Sequence, residues 1–417
     1  MNNKKIIRDP IHGNIELKNI FIDLLNSPEL QRLYNIKQLG FAHLVFPGAH
    51  HSRLEHSLGS YYIASEIAKS VNLNQDERDI IRCAALIHDI GHGPFSHTLE
   101  VILHNYLSLN HIELTKRLIY GEYDILQTGE KKFISHLNVN EILEKEKLDI
   151  KLISSIITGD NNKKKYLTEI LNSCIDSDQL DYLMRDAFYT GVAYGIIDLE
   201  RFLQTLEIFN GKLVIHKKGV GVVENILMAR NLMYSSVYFH KTVRIAELML
   251  LKSIQMLPDL HPLDLFKKTD TEILNFLKNK GSFQNKIITS IKYRNLFKQS
   301  YSISNINLDK TKKNVINSFK KLDIKIQKEN EIEDKLKIPK GHVIIDVPKH
   351  EIDKTEPRLN KIDITILDNN LEKKFEHLTP IAKAIQSKSI PDWAIMIITD
   401  EKYRKIVEKK AEKILFN

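Results

Sequence analysis

The stretch His88-Asp89-Ile90-Gly91-His92-Gly93-Pro94-Phe95-Ser96-His97 decides how the rest of the chain is read. It sets an imidazole beside a carboxylate at the end of an apolar helical pattern, followed by two glycines that let backbone and ligand approach closely. Both groups can turn toward one cation, and this ligand type suits iron, manganese, zinc, cobalt or nickel. Just upstream, Asn74 followed three residues later by Glu77 has the form of a capping box. It opens a helix whose apolar positions Ile80, Ile81, Ala84, Ala85 and Ile87 carry His88 and Asp89 to its end. A lone histidine on a helix is more often a satisfied core or surface group than a ligand, so context has to decide. Of the 17 histidines, seven fall between His43 and His97. His56 lies in His51-Ser52-Arg53-Leu54-Glu55-His56, and Asp178 in Asp176-Ser177-Asp178-Gln179-Leu180-Asp181-Tyr182. Together they give a spread His, His-Asp, Asp set drawn from three helices. Four such groups buried with no ion would be costly to desolvate.

Outward from that stretch, apolar residues recur at helical spacing from Phe21 to about Leu109, with breaks at Gly40, Pro47-Gly48 and Gly91 to Pro94. A second helical block runs from Ile150 through Asp176 to Ala187, after a surface loop from Gly159 to Lys165. A strand over Lys212 to His216 precedes one long helix from Val220 to Met256. Beyond Asp259 lysine becomes dense, and β-like runs occur at 343–347, 362–366 and 394–398, while Asp309 to Lys337 is charged enough to read as a mobile connector. The expectation is a mainly α protein, with a multi-helix core over 1–258 and a smaller C-terminal α+β domain over 259–417.

Bulk properties narrow the class. No apolar run reaches the roughly 18–20 residues that span a bilayer, and the N-terminus lacks the pattern of a signal peptide, so the expected location is the cytoplasm with no membrane partner. Two cysteines, Cys83 and Cys174, cannot build a disulfide framework or a cysteine-based zinc site. A net charge of +8 favours anionic partners, whether nucleotides or nucleic acid, without choosing between them.

The chain resembles the HD-domain dNTP triphosphohydrolases, the group of the sterile-alpha-motif-and-HD-domain enzyme and its prokaryotic relatives. The resemblance rests on Asp9-Pro10-Ile11-His12-Gly13, Gln31-Arg32-Leu33, Ile36-Lys37-Gln38-Leu39-Gly40, Val45-Phe46-Pro47-Gly48-Ala49, the His88 to His97 string, Asp178 to Tyr182, Arg185-Asp186, and Arg230-Asn231 to Tyr238. It covers roughly residues 5–260, and no sterile-alpha-motif domain is present. It implies that His56, His88, Asp89 and Asp178 hold a divalent ion (Mg, Mn, Fe, Co, Ni or Zn) with positions left for water and a phosphate oxygen. It implies further that Arg53 and Arg230 clamp a triphosphate, which guanidinium suits by its bidentate geometry and permanent charge. Gln38 and Leu39 then touch the sugar 3′-hydroxyl and, with Tyr238, leave no room for a 2′-hydroxyl, while Tyr182, Asp186 and Tyr234, spaced along helix faces with Arg230 and Asp178, read as walls of the nucleotide pocket. His92 and His97 reach the phosphates or the departing 5′ oxygen, with His97 the favoured acid and Glu100 and His111 tuning it. Lys5, Arg8 and Arg32 are candidates for dNTP-driven activation within a homo-oligomer, a dimer or tetramer. The chain departs from the family at Gln179, where lysine is typical, and at Tyr234 and Phe239, where histidine and glutamine are. Asn26 and Tyr34 replace the aspartate and arginine that read a guanine activator.

Two other functions compete. Another phosphohydrolase reaction on a monophosphate, cyclic nucleotide or phosphodiester would use the same metal and water. A nucleic-acid-binding regulatory module with a vestigial pocket would exploit the +8 charge and the lysine-rich C-terminal part.

Overall fold

The computed structural model describes residues 4–160, 163–259, 261–305, 308–348, 362–387 and 391–416, the side chains of residues 97, 386 and 387 excepted. The chain opens on an antiparallel hairpin, β1 (Lys4–Asp9) and β2 (Gly13–Lys18), for which the sequence pattern predicts no element. Asp9 forms its turn by accepting the backbone N–H groups of Ile11 and His12 at 2.9 and 2.8 Å. Ile15 and Leu17, alternate positions on β2, are fully buried, which fixes the register of the hairpin against the helices.

Five helices build the frame of the site: α1 (Arg53–Ser70), α2 (Gln75–Ile87), α3 (Ser96–Leu107), α4 (His111–Ile119) and α5 (Ser177–Thr190). Ser52 and Glu55 close a complete capping box at the start of α1. Asn74 caps α2, its side chain accepting from Glu77 N–H at 3.0 Å, but the expected box is only half formed, since the Glu77 carboxylate accepts from Tyr166 and Lys164 at 2.6 and 2.9 Å instead. The apolar positions Ile80, Ile81, Ala84, Ala85 and Ile87 on α2 are buried, as their spacing requires. α1 packs between α2 and α5.

After these helices come β3 (Leu206–Phe209) and β4 (Lys212–His216), the latter where the sequence places a strand. The single helix expected from Val220 to Met256 is broken. α6 (Val220–Met233) widens into a π-turn over Tyr234–Tyr238, and α7 (Lys241–Gln255) restarts after it. Phe239 N–H reaches back five residues to Tyr234 O at 3.0 Å, and the extra residue per turn changes which side chains share a face. The charged stretch read as a connector is also ordered: α8 (Lys310–Ser318) and α9 (Leu322–Leu336) bury Ile316, Ile332 and Leu336. Most of its charges face outward, but Lys325, Glu329 and Glu333 are buried, with Glu329 2.5 Å from Lys252 and Glu333 accepting from Val343 N–H at 2.9 Å.

Of the three β-like runs, 343–347 and 394–398 become strands, whereas only Thr365 and Ile366 of 362–366 enter one, which runs on to Asp368. β5 (Lys298–Ser304) and β6 (Val343–Asp346) flank the last strand, β9 (Trp393–Thr399), in a sheet of order β5-β9-β6 backed by α10 (Arg404–Phe416). Between them, β7 (Thr365–Asp368) and β8 (Leu371–Lys374) form a hairpin that joins the first half, with β7 parallel to β4. Ile364, Ile366 and Phe375 therefore share a core with Leu183 and Ile226. A second core unites Phe41, Phe95 and Leu99 with Met249, Phe266 and Ile398. Among the described residues no helix is long and apolar enough to cross a membrane.

Candidate metal centre and pocket

His56 sits in the first turns of α1, His88 and Asp89 directly follow α2, and Asp178 is the second residue of α5. Each position follows from a local device. The capping box fixes where α1 starts, Asn74 fixes α2, and Asp176 caps α5 by accepting Gln179 N–H at 2.8 Å. The ligand atoms of His56, His88 and Asp178 all lie within 4.8 Å of one another. Asp89 borders the same point, Oδ1 3.2 Å from His88 Nε2 and Oδ2 3.9 Å from His56 Nε2, while Arg53 Nη1 donates to Oδ2 at 2.7 Å.

Hydrogen bonds at the far side of each ring set the tautomers. His88 Nδ1 is held by Ala85 O at 2.8 Å, which leaves Nε2 as acceptor, buried and with no hydrogen-bond partner among the described residues. His56 Nδ1 is held by Asp181 at 2.8 Å, and its Nε2 lies 3.0 Å from Asp178 Oδ1. Two imidazoles anchored at Nδ1 and aimed inward at carboxylates are the donor set a divalent cation takes, so the residues fit an ion. Burial by itself would lower the His56 pKa, but the hydrogen bonds that it donates to Asp178 and Asp181 raise it to about 10. Burial would raise Asp178 and Asp89. Asp178 is instead held well below the usual carboxylate range by the hydrogen bond from His56 and by the His88 imidazole 3.7 Å away, and Asp89 by the charges of His88, His92 and Arg53. With only protons to share, the cluster is strongly polarised, and a cation would take the place of those protons.

Beyond the ligands the chain turns at Gly91, where a Cβ would stand 2.3 Å from His111 O. That close approach brings α4 against the loop, and the His92 and His111 rings stack at 3.9 Å. His111 Nδ1 lies 2.6 Å from Glu100 Oε1. The two rings move in opposite directions. Burial with the neighbouring Arg53 and His111 charges pushes His92 well below its ordinary value, whereas Glu100 overrides burial and raises His111. Phe95, with φ of 44°, is strained in the left-handed region, and Asp270 holds it there by accepting its N–H at 3.0 Å. The side chain of His97, the acid favoured from sequence, lies outside the described residues.

One cavity of about 280 Å³ gathers most of the predicted residues. Gln38, Leu39, Arg53, Tyr182, Asp186, Arg230, Tyr234 and Tyr238 line it together with His92, Glu100, His111 and all four ligand residues. Arg230 Nη1 donates to Cys174 O and Gln179 Oε1 at 3.2 and 3.3 Å, and its Nη2 has no partner among the described residues. Arg53 Nε and Gln38 Oε1 are likewise buried without one. Tyr238 donates to Asp186 Oδ2 at 2.8 Å, and His51 holds Asp186 Oδ1 at 2.7 Å. Lys5 and Arg8 are exposed on β1, away from the cavity lining. The Arg32 guanidinium is inside the protein, donating to the carbonyls of Ile90, His92 and Phe266 at 2.6–3.1 Å.

Sequence reasoning gave no role to Asp181, Arg185, His51, Asp9 or His12, all of which support the ligands or pocket residues. A faint signal was available: Asp181 and Arg185 stand four residues apart on the helix that carries Asp178, flanked by apolar Leu180 and Leu183.

Residues 53–186 match the family model described as HD domain, and residues 197–416 match the HD associated region. An uncharacterized protein of Methanocaldococcus jannaschii is 33% identical over 98% of this chain and 82% of its own. The zebrafish (Danio rerio) protein named deoxynucleoside triphosphate triphosphohydrolase SAMHD1 is 32% identical over 59% of this chain, which spans 44% of the zebrafish protein. The crystal structure of a hypothetical protein from Aquifex aeolicus superposes with a TM-score of 0.73 at 30% identity, covering 98% of this chain and 100% of that one.

Proposed function

The chain belongs to the HD-domain hydrolases that carry the HD-associated region, and from that membership we propose that it hydrolyses deoxynucleoside triphosphates to deoxynucleoside and inorganic triphosphate. The observation that carries the reading is a pair of buried guanidinium groups, Arg53 and Arg230, each with a nitrogen lacking a partner, on the same cavity as His56, His88 and Asp178. Two fixed cations that each keep a donor to spare among the described residues, beside an ion site, suit an extended polyphosphate better than a single phosphate. The likeness to a protein named as a dNTP triphosphohydrolase supports the same substrate class.

His56, His88, Asp89 and Asp178 would hold the divalent ion, which supplies Lewis-acid polarisation of the α-phosphoryl group and acidifies a water nearby. Arg53, already bonded to Asp89, fixes the phosphate chain against the ligand set. His92, kept neutral and stacked on His111, faces the reacting side, while the His111–Glu100 pair stores the proton that the leaving 5′ oxygen needs. His97, in the first turn of α3, is a second candidate for that proton. Tyr238, pinned by Asp186, closes the space beside the sugar, and Leu39 and Gln38 complete the wall that favours deoxyribose.

Incubating the purified protein with each dNTP, singly and mixed, together with Mg, Mn, Co or Fe, and identifying products by chromatography tests this. Tripolyphosphate with deoxynucleoside supports it. Release of orthophosphate or of a nucleotide would transfer the site to a different phosphohydrolase reaction.

A further inference from the structure

The ligand His56 is anchored to more than its own helix. Asp181 holds His56 Nδ1 at 2.8 Å with Oδ2, and its other oxygen lies 2.7 Å from Nε2 of His12, in the turn of the N-terminal hairpin. Arg185 closes the carboxylate from the other side with Nε at 2.9 Å and Nη2 at 3.0 Å, and reaches Asp9 of the same turn at 2.8 Å. The His12 and Asp181 side chains are 3% and 0% exposed. Four donors thus meet a carboxylate that has about four lone-pair sites, so Asp181 is saturated and its orientation is fixed. A saturated acceptor at Nδ1 forces the proton of His56 onto that nitrogen and offers Nε2 inward.

Two further observations show a built arrangement. The His12 ring stacks on Tyr62 of α1 at 4.7 Å, so the hairpin turn is seated on the helix that bears His56. At Gly59, one turn beyond His56, a Cβ would lie 1.8 Å from Asp181 Oδ1 and 2.5 Å from Arg185 Nη2, so α1 is bare where the carboxylate crosses it.

We propose that the N-terminal hairpin is a working part of the metal centre, with His12 a positioning residue that acts through Asp181 to hold His56 in the tautomer and orientation that bind the ion. Docking of residues 4–18 and cation binding are then coupled. Whatever loosens the hairpin weakens the ion, and the bound ion tightens the hairpin. The inference rests on the metal reading of the site but not on the choice of dNTP as substrate.

The test strips the full-length protein with chelator and measures Mn²⁺ binding at equilibrium, with the visible spectrum of the Co²⁺ form as a second readout. His12→Phe keeps a ring to stack on Tyr62 and removes only the donor. It should weaken Mn²⁺ by about 10–100-fold, the range for lost outer-shell partners, and change the Co²⁺ spectrum, while circular dichroism of the metal-free protein stays that of the parent. His12→Gln, whose amide can still donate to Asp181, should recover most of the affinity and serves also if His12→Phe folds poorly. Unchanged Mn²⁺ affinity in folded His12→Phe, or equal loss in both variants, overturns the role of His12. A parent protein that binds no divalent cation overturns the metal reading itself.

Discussion

At the scale of single residues, the pocket separates groups that hold charge from groups that move it. His111 and His92 stack face to face, yet Glu100 raises the first while burial and Arg53 lower the second. A pair pushed apart in this way suits one member to store a proton and the other to stay neutral. His111→Gln should therefore reduce kcat by about 10²–10³ and leave Mn²⁺ affinity unchanged, since His111 touches none of the four ligands. Steady-state kinetics beside a metal titration check this, and a matched loss of metal would remove the proton-storage role. A second residue reports on stability. Glu29, 4% exposed, accepts the Val139 N–H, and burial raises its pKa to about 7. A carboxyl raised on folding is more protonated in the native state than in the unfolded one between about pH 4.5 and 7. Stability consequently falls as pH rises through that window. The raise of about 2.5 units corresponds to roughly 3 kcal/mol at most by pH 8. Glu29→Gln should accordingly gain thermal stability over the parent at pH 8 and little at pH 4.5, and a gain equal at both pH values would show that Glu29 is not titrating.

At the scale of elements, two opposing effects at Gly59 can be weighed. Replacing a mid-helix glycine by alanine normally stabilises a helix by about 1 kcal/mol. Here the new Cβ would overlap Asp181 and Arg185, forcing α1 from α5 inside a buried ionic cluster, at a cost of roughly 3 kcal/mol. Packing outweighs propensity, so Gly59→Ala should lower the melting temperature and weaken cation binding, as read by thermal denaturation with and without Mn²⁺. A stabilised variant would mean that α1 and α5 are less closely joined than this. The same elements show what was legible in sequence. Helix α2 was legible because Asn74, Glu77 and the apolar period all agree. Strands β6 and β9 were legible because runs such as Ala394 to Ile398 are β-branched and uninterrupted. The N-terminal hairpin was not, because the alternation Asn14-Ile15-Glu16-Leu17-Lys18 is short and the partner strand, with exposed Lys4, Lys5 and Ile6, carries none. The π-turn at Tyr234–Tyr238 is invisible to periodicity, since nothing local marks the added residue. The charges of 309–337 read as a solvated connector because the partners of Glu329 and Glu333, Lys252 and the β6 backbone, are far away in sequence. The pocket residues came together as read, whereas the groups behind them did not show, because His12 to Asp181 is a contact across 169 positions.

At the scale of the whole molecule, the question is whether the two halves are separable units. The hairpin of β7 and β8 extends the sheet of β3 and β4, and Ile362, Ile364, Ile366 and Phe375 are buried in the core that contains Leu183 and Ile226. In return, Phe41, Phe95 and Leu99 are buried with Met249, Phe266 and Ile398, and Asp270 holds both Phe95 N–H and Lys37 N–H. Burying each large apolar side chain is worth about 1.5–3 kcal/mol, so either shared core contributes as much as the 5–15 kcal/mol by which a native domain is usually stable. The C-terminal part keeps one core of its own, in which Ile332, Ile345, Ile395 and Val407 are buried together, but the other two cores are shared across the boundary. Phe375 gives the sharpest test because it is fully buried and lies far from the ligands in sequence. Phe375→Ala should cost about 3–5 kcal/mol and displace one calorimetric transition as a unit, together with the loss of near-ultraviolet signal and of Mn²⁺ binding. If the halves were independent, the scan would split into two transitions and only the one without the metal response would move. Cooperativity of this kind also bears on the site. The loop from Gly91 to Ser96 is clamped by Arg32 from the first half and Asp270 from the second, so the strained Phe95 backbone beside the ligands depends on the halves staying docked.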